Sequence, residues 1–219
     1  MDFKKQLLNE ILGANRDNAN KIIDAWASKH SYREVLPGIL EPVLIQIGDL
    51  WKDEKVSLAQ GYVAVKIAED VLNKILQDQD TDESPQVKKG PVVIANIEDD
   101  YHSLGRKMVG TFLRANGWEV VDMGNDVPAE DIVDKCEEIG ARVVGVSAMM
   151  FTTARNIKSL RECIDQRGLE DTLKLAVGGA VFKLRPSLVD DVGGDGTAPS
   201  ALQAPELFEQ LWKESEQGV

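Results

Sequence analysis

From residue 91 onward the chain alternates short β-branched apolar runs with segments of helical length, and this alternation constrains the fold more than any other feature. PVVIAN precedes a helix predicted over Ser103–Ala115, EVVDMG precedes PAEDIVDKCEEIG, and RVVGVSAMM precedes a helix from Thr153 to about Arg167. LKLAVGG precedes a helix near Pro186–Val192, and the short DGTA and a last helix over Ala201–Glu214 close the chain. Runs that are apolar throughout suit strands buried on both faces. Alternation of such strands with helices predicts an α/β domain over 91–219, a five-stranded parallel sheet covered by helices on both sides. In such a sheet the ligand sits at the carboxyl ends of the strands, near the point where the strand order reverses.

The first 76 residues read as helices only. Leu7, Leu8, Ile11 and Leu12 make one stripe at helical spacing, and Ile22, Ile23 and Trp26 make another, with Asp17 or Asn18 as its cap. SYRE (Ser31–Glu34) and SLAQ (Ser57–Gln60) are capping boxes. They open a helix running to about Trp51, with Pro37 in its early part, and another running to about Leu76. Four helices with short connections predict an antiparallel bundle over 1–76. The segment QDQDTDESPQVKKG, 77–90, has one apolar residue and several acids, the composition of an exposed linker.

Lys and Arg total 25 against 37 for Asp and Glu, a formal charge of −12, which disfavours nucleic acid and anionic lipid as partners. No apolar run approaches the ~20 residues of a membrane span, and MDFKKQLLNEILG is an amphipathic helix rather than a signal peptide. Cys136 and Cys163 lie far apart inside predicted helices, which fits free thiols in a reducing, cytoplasmic setting.

The carboxyl ends of the strands carry Asp99, Asp100, His102 and Gly105; Gly124, Asn125 and Asp126; Ser147, Met149, Thr152 and Thr153; Gly178 and Gly179; and Gly196 and Thr197. Small residues, hydroxyls and one imidazole describe a slot for a long, partly polar ligand that passes close to backbone. GxGxxG and GxxxxGK[ST] are both absent, which weakens dinucleotide and nucleotide-triphosphatase readings. Two histidines and two distant cysteines make a poor zinc site. His30 follows Lys29 near a helix end, where a cation is favourable, and needs no further role.

DYHSLG resembles the Asp-x-His-x-x-Gly signature of cobalamin-binding domains. From Gly105, 41 intervening residues lead to Ser147 of SAM, which stands where that family has Ser-x-Leu, with Met149 in place of Leu. Another 28 lead from Met149 to Gly178–Gly179, again at the family's spacing. The helical bundle with its LW segment is similar to the cap of corrinoid proteins. The resemblance implies a flavodoxin-like (Rossmann-like) sheet domain holding cobalamin, with His102 ligating cobalt in place of the cofactor's own base. Imidazole suits such a metal, and a ligating His normally gives its other N–H to a carboxylate, a role for which Asp100 is placed. The resemblance further implies that Asp100, Tyr101, His102, Ser103, Leu104, Gly105, Ser147, Met149, Thr152, Thr153, Gly178, Gly179, Gly196 and Thr197 line the cofactor. Thr153 would complete a relay with Asp100 and His102, and Trp51 would cover the upper face of the corrin.

Two functional classes share this arrangement. One is the corrinoid methyl carrier of O-demethylase, methylamine or methanol systems. It takes a methyl group from one methyltransferase and gives it to another, often one acting on tetrahydrofolate, and is kept active by a reductive activase. The other is the cobalamin-dependent, light-responsive regulator, which HSLG and GTFLRANGWEVVDMGNDVP resemble. Such regulators carry Glu-His where this chain has Gly61–Tyr62, and no basic helix-turn-helix is present. A mutase subunit usually shows Asp-Arg-Gly after the His. The carrier is the favoured reading, since an upper face without a protein ligand leaves the cobalt free to accept a methyl group.

Overall fold

The computed structural model describes residues 2–53, 55–79 and 89–217. The chain divides into two compact units, Met1–Glu83 and Ser84–Val219. Of the linker expected over 77–90, residues 80–88 lie outside the described residues.

The first unit is helical: α1 (Phe3–Leu12), α2 (Arg16–Ala27), α3 (Tyr32–Val35), α4 (Glu41–Lys52) and α5 (Leu58–Gln79). Its core is built from Leu7, Ile11, Ile23, Leu36, Leu40 and Ile67, each at most 1% exposed. The cap of α2 is Asn15, whose side chain accepts the Asn18 N–H, so the expected cap at 17 or 18 lies two to three residues too late. SLAQ forms a reciprocal box: Gln60 N–H donates to Ser57 Oγ at 3.4 Å and Ser57 N–H to Gln60 Oε1 at 2.7 Å.

The long helix expected from Ser31 to Trp51 is not continuous. Leu36–Leu40 forms a π turn between α3 and α4, closed by Glu41 N–H on Leu36 O. Pro37 supplies the cause, since it lacks an N–H and its ring crowds the preceding turn. Gly38 is required beside it, because a Cβ there would sit 2.8 Å from the Trp26 ring. Trp26 in turn stacks on His30 with ring centroids 4.0 Å apart.

The second unit contains β1 (Lys89–Asn96), α6 (Ser103–Ala115), β2 (Trp118–Asp122), α7 (Ala129–Ile139), β3 (Val143–Ser147), α8 (Phe151–Ala154), α9 (Ile157–Gln166), β4 (Lys174–Gly178), α10 (Ala180–Leu184), α11 (Leu188–Asp191) and α12 (Ala204–Gln217). The strands form a parallel sheet in the order β2-β1-β3-β4. Side chains alternate between two cores, as a strand's period of two requires. Val93 and Ala95 enter one cluster with Ile132, Ile157 and Leu160, while Val92 and Ile94 enter the other with Leu113, Phe208 and Leu211.

The sheet has four strands rather than the five expected. Asp195–Thr197 runs beside β4 but makes only one bridge, Ala176 to Gly196. The outer edge of β4 is satisfied partly by the backbone of this segment and partly by a side chain. Asp195 Oδ2 accepts Leu175 N–H at 2.5 Å and Gly196 O accepts Val177 N–H at 2.9 Å. Arg161 holds the Asp195 carboxylate at 2.6 Å. Pro199, which has no N–H to give a ladder, follows two residues after Thr197.

β1 lies between β2 and β3, so its connection and that of β3 leave the sheet in different directions. The strand order therefore reverses between β1 and β3, and a crevice opens at their carboxyl ends.

Candidate functional site

Asn96, Ser147 and Gly178 stand side by side on the last rung of the sheet, as the ends of β1, β3 and β4. The loop after β1 carries Asp100 and His102, and the loop after β3 carries Met149 and leads into Thr153 of α8.

Asp100 ties the two loops together. Its side chain is 0% exposed. Oδ1 accepts His102 N–H at 2.9 Å and the Asn96 amide at 2.8 Å, while Oδ2 accepts Met149 N–H at 2.7 Å and Thr153 Oγ1 at 2.9 Å. Burial alone pushes this carboxyl up. The Met149 and His102 N–H groups, with Asn96 and Thr153, outweigh that push and hold it below the usual carboxylate range.

The carboxylate in turn assigns the imidazole tautomer. His102 Nδ1 lies 3.3 Å from Asp100 Oδ1. An ionised carboxylate only accepts, so Nδ1 carries a proton, and in the neutral tautomer this selects, Nε2 keeps its lone pair. The His102 side chain is 52% exposed, so that lone pair is accessible. Space is available beside it. A Cβ on Gly105 would find only Ser147 Oγ at 4.0 Å, and one on Gly178 would meet nothing within 4 Å. Tyr101, Met149 and Met150, on the same two loops, and Phe151, at the start of α8, are all exposed, and together they offer an apolar rim.

Asp100, His102, Met149 and Thr153 are thus joined directly, and Ser147, Gly105 and Gly178 border the same space. Ser103 and Leu104 begin α6 and are half-buried, and Thr152 is exposed on α8. Tyr101 points its hydroxyl at Asp126, which also accepts Asp99 N–H at 2.8 Å. This pairing raises the Tyr101 hydroxyl above its ordinary value and lowers the Asp126 carboxyl. Asp99 and Asp126 both take positive φ, 67° and 57°, so these tight turns are held under strain beside the site.

Two expected slot glycines have other reasons to be glycine. Gly179 has φ of 119° and a Cβ there would lie 1.9 Å from Ala148 O, so the turn itself demands it. A Cβ on Gly196 would meet Leu207 at 2.8 Å, a packing constraint from the α12 side. Thr197 is exposed beside the edge of β4. Trp51 belongs to α4, and its side chain lies outside the described residues.

Sequence reasoning missed Asn96 and Arg106. Arg106 is only 6% exposed although charged. Its Nη1 donates to Asn96 Oδ1 at 2.6 Å and also to Asn125 Oδ1, and its Nε lies 2.7 Å from Asp122 Oδ1 without an aligned hydrogen bond. The available signals were a polar residue closing an otherwise apolar strand, and a cation one helical turn after His102.

A doubly wound parallel sheet with an imidazole–carboxylate pair and two open glycines at its switch point is the ligand-binding end of an α/β domain. Residues 90–206 and residues 4–76 each match a family described as B12 binding domain. The chain belongs to the B12-binding family, and its cofactor is cobalamin. It is 31% identical over 168 residues to a corrinoid protein of Desulfitobacterium hafniense strain Y51, covering 75% of this chain and 76% of that one. It is 29% identical over 213 residues to the dimethylamine corrinoid protein of Methanosarcina barkeri, covering 96% and 97%. The fold matches the structure of the Methanosarcina barkeri monomethylamine corrinoid protein with a TM-score of 0.82 at 22% identity, over 96% of this chain and 98% of that one. A chain of the methanol:cobalamin methyltransferase complex of Methanosarcina barkeri matches with a TM-score of 0.53 at 22% identity, over 94% of this chain and 78% of that one.

Cobalamin fits these residues: an imidazole whose Nδ1 faces a carboxylate suits a transition metal at Nε2, and the space at Gly105 and Gly178 is open.

Proposed function

We propose that this chain is a methyl carrier for a methylamine- or methanol-type methyltransferase system, with His102 Nε2 holding the cobalt from below in place of the cofactor's own base. One observation carries the reading. The fully buried Asp100 carboxylate, fixed by four donors, faces Nδ1 of the half-exposed His102. The relatives named for dimethylamine and the methanol methyltransferase complex support the type of system. When bound, cobalamin supplies a cobalt centre that can accept and give up a methyl group.

The chain's own residues do the rest. Asp100 holds the Nδ1 proton and keeps the ring oriented, which raises the basicity of Nε2. Thr153 gives its hydroxyl proton to Asp100 and lies 3.1 Å from Met150 O as an alternative acceptor, so it can reverse its role as the charge of the pair changes. Gly105 and Gly178 leave room for the nucleotide tail, and Tyr101, Met149 and Phe151 give the ring system an apolar rim. The second histidine is engaged elsewhere, stacked on Trp26, so no histidine other than His102 serves as ligand in this reading.

The methyl donor's methyltransferase, an acceptor methyltransferase acting on tetrahydrofolate and a reductive activase are the partners of the proposal. The test is the absorption spectrum of protein mixed with hydroxocobalamin, followed by methyl transfer from methylamine- or methanol-specific methyltransferases. The expected result is a base-off spectrum that His102→Ala alters, and methyl loading from one of those enzymes. A base-on spectrum unaffected by His102→Ala contradicts the reading.

A further inference from the structure

We infer that Arg106 and Asn96 form a positioning arm that sets how strongly His102 binds cobalt, an inference that rests on His102 being the ligand. The arm starts from a buried guanidinium on α6. Guanidinium groups only donate, so the atom of Asn96 facing Arg106 Nη1 at 2.6 Å is its carbonyl oxygen. That fixes the flip of the amide. The NH2 group is then turned to Asp100 Oδ1 at 2.8 Å and to the His102 carbonyl at 3.2 Å. Every link runs in one sense, from an obligate donor through the amide to an obligate acceptor. Without Arg106 the Asn96 oxygen loses its buried donor, and only the acceptors at Asp100 and His102 are left to hold the amide. A flipped Asn96 would set its single oxygen against both the Asp100 carboxylate and the His102 carbonyl.

The arm touches neither Nε2 nor the open space at Gly105 and Gly178. It acts through two handles on His102: the carboxylate that faces Nδ1 and the backbone carbonyl of the residue itself. Asn125 and Asp122, from the β2 side, anchor the guanidinium so that it cannot swing away. Arg106 and Asn96 are therefore positioning residues, and the arm ties the ligand histidine to the end of β2.

The test is a double-mutant cycle on corrinoid binding. Arg106→Met fills the same space with a helix-compatible apolar chain, and Asp122, at a partly exposed strand end, regains water. Binding of hydroxocobalamin is measured by spectral titration for the native protein, Arg106→Met, His102→Ala and the double variant. The expected result is roughly tenfold weaker binding for Arg106→Met, at the low end of the 10–100-fold typical of lost ligand-orienting partners. No further weakening is expected in the His102→Ala background. Arg106→Lys, which keeps a charge and a donor for Asn96, is expected to bind as the native protein does, and Arg106→Gln takes the place of Arg106→Met in the cycle should that variant not fold. Equal weakening in both backgrounds assigns Arg106 to the fold alone and overturns the inference, as does an unchanged affinity. If His102→Ala binds and absorbs as the native protein does, the ligand assignment itself fails and the inference falls with it.

Discussion

Replacing Asp100 by Asn removes a charge while keeping shape, and the hydrogen-bond geometry sets what this must cost. The carboxylate takes three contacts at Oδ1 and two at Oδ2. An amide NH2 placed at Oδ1 would oppose the His102 N–H and the Asn96 NH2 together, so it must take the Oδ2 side. There Thr153 can turn its proton to Met150 O and accept instead. Met149 N–H has no such recourse and is left facing a donor. One buried unsatisfied N–H costs about 1–3 kcal/mol. The bonds at the remaining oxygen fall from charge-assisted to neutral, roughly half their strength, which brings the expected loss to about 2–4 kcal/mol. Urea unfolding of the cobalamin-free protein, followed by far-UV circular dichroism, measures it. The same variant is expected to bind cobalamin ~10–100-fold more weakly, because the Nδ1 proton now faces a neutral oxygen. A loss below about 0.5 kcal/mol, the range of an inert surface change, would refute the claim that this carboxylate staples the two loops.

Gly178→Ala puts a methyl group into open space, so it is expected to leave apo-protein stability unchanged or slightly raised while reducing cobalamin affinity at least ~10-fold. Gly179→Ala meets Ala148 O at 1.9 Å and is expected to lower soluble yield and melting temperature, as thermal denaturation would show. Burial pushes the Cys136 thiol up to about 12, so iodoacetamide at pH 8 is expected to label Cys163 and spare Cys136 until the protein is denatured, read by peptide mass spectrometry. The Asp70 carboxyl is held below its ordinary value, chiefly by the Arg16 hydrogen bond. A depressed folded-state value means stability that is present above the unfolded value of ~3.9 and lost as pH falls through the folded one. Asp70→Asn is therefore expected to lower the melting temperature at pH 7, the difference shrinking once pH falls below ~4 and closing only below the depressed folded value.

The parts of the fold that depend on local pattern were legible. Each β-branched run became a strand, because both faces of the sheet are covered and apolar residues at every position can be buried. That the expected fifth strand is reduced to a single bridge was not legible, because the Asp195 side chain takes the place of a backbone acceptor for the Leu175 N–H of β4, and nothing local distinguishes that aspartate from a strand residue. The break at Pro37 was visible as a proline but not as a π turn, since the register shift depends on Gly38 receiving Trp26 from another helix. The Asp100–His102 pair was readable because both partners lie two residues apart on one loop. Asn96 and Arg106 were not, since each looks ordinary alone and acquires meaning only where β1, α6 and β2 converge.

The central claim is a bond from His102 Nε2 to cobalt. Electron paramagnetic resonance of the protein loaded with Co(II) cobalamin tests it, with the histidines carrying either nitrogen-14 or nitrogen-15. The account requires nitrogen splitting that changes from three-line to two-line on nitrogen-15 labelling and disappears in His102→Ala. Splitting that ignores the label, and so comes from the cofactor's own base, would contradict it.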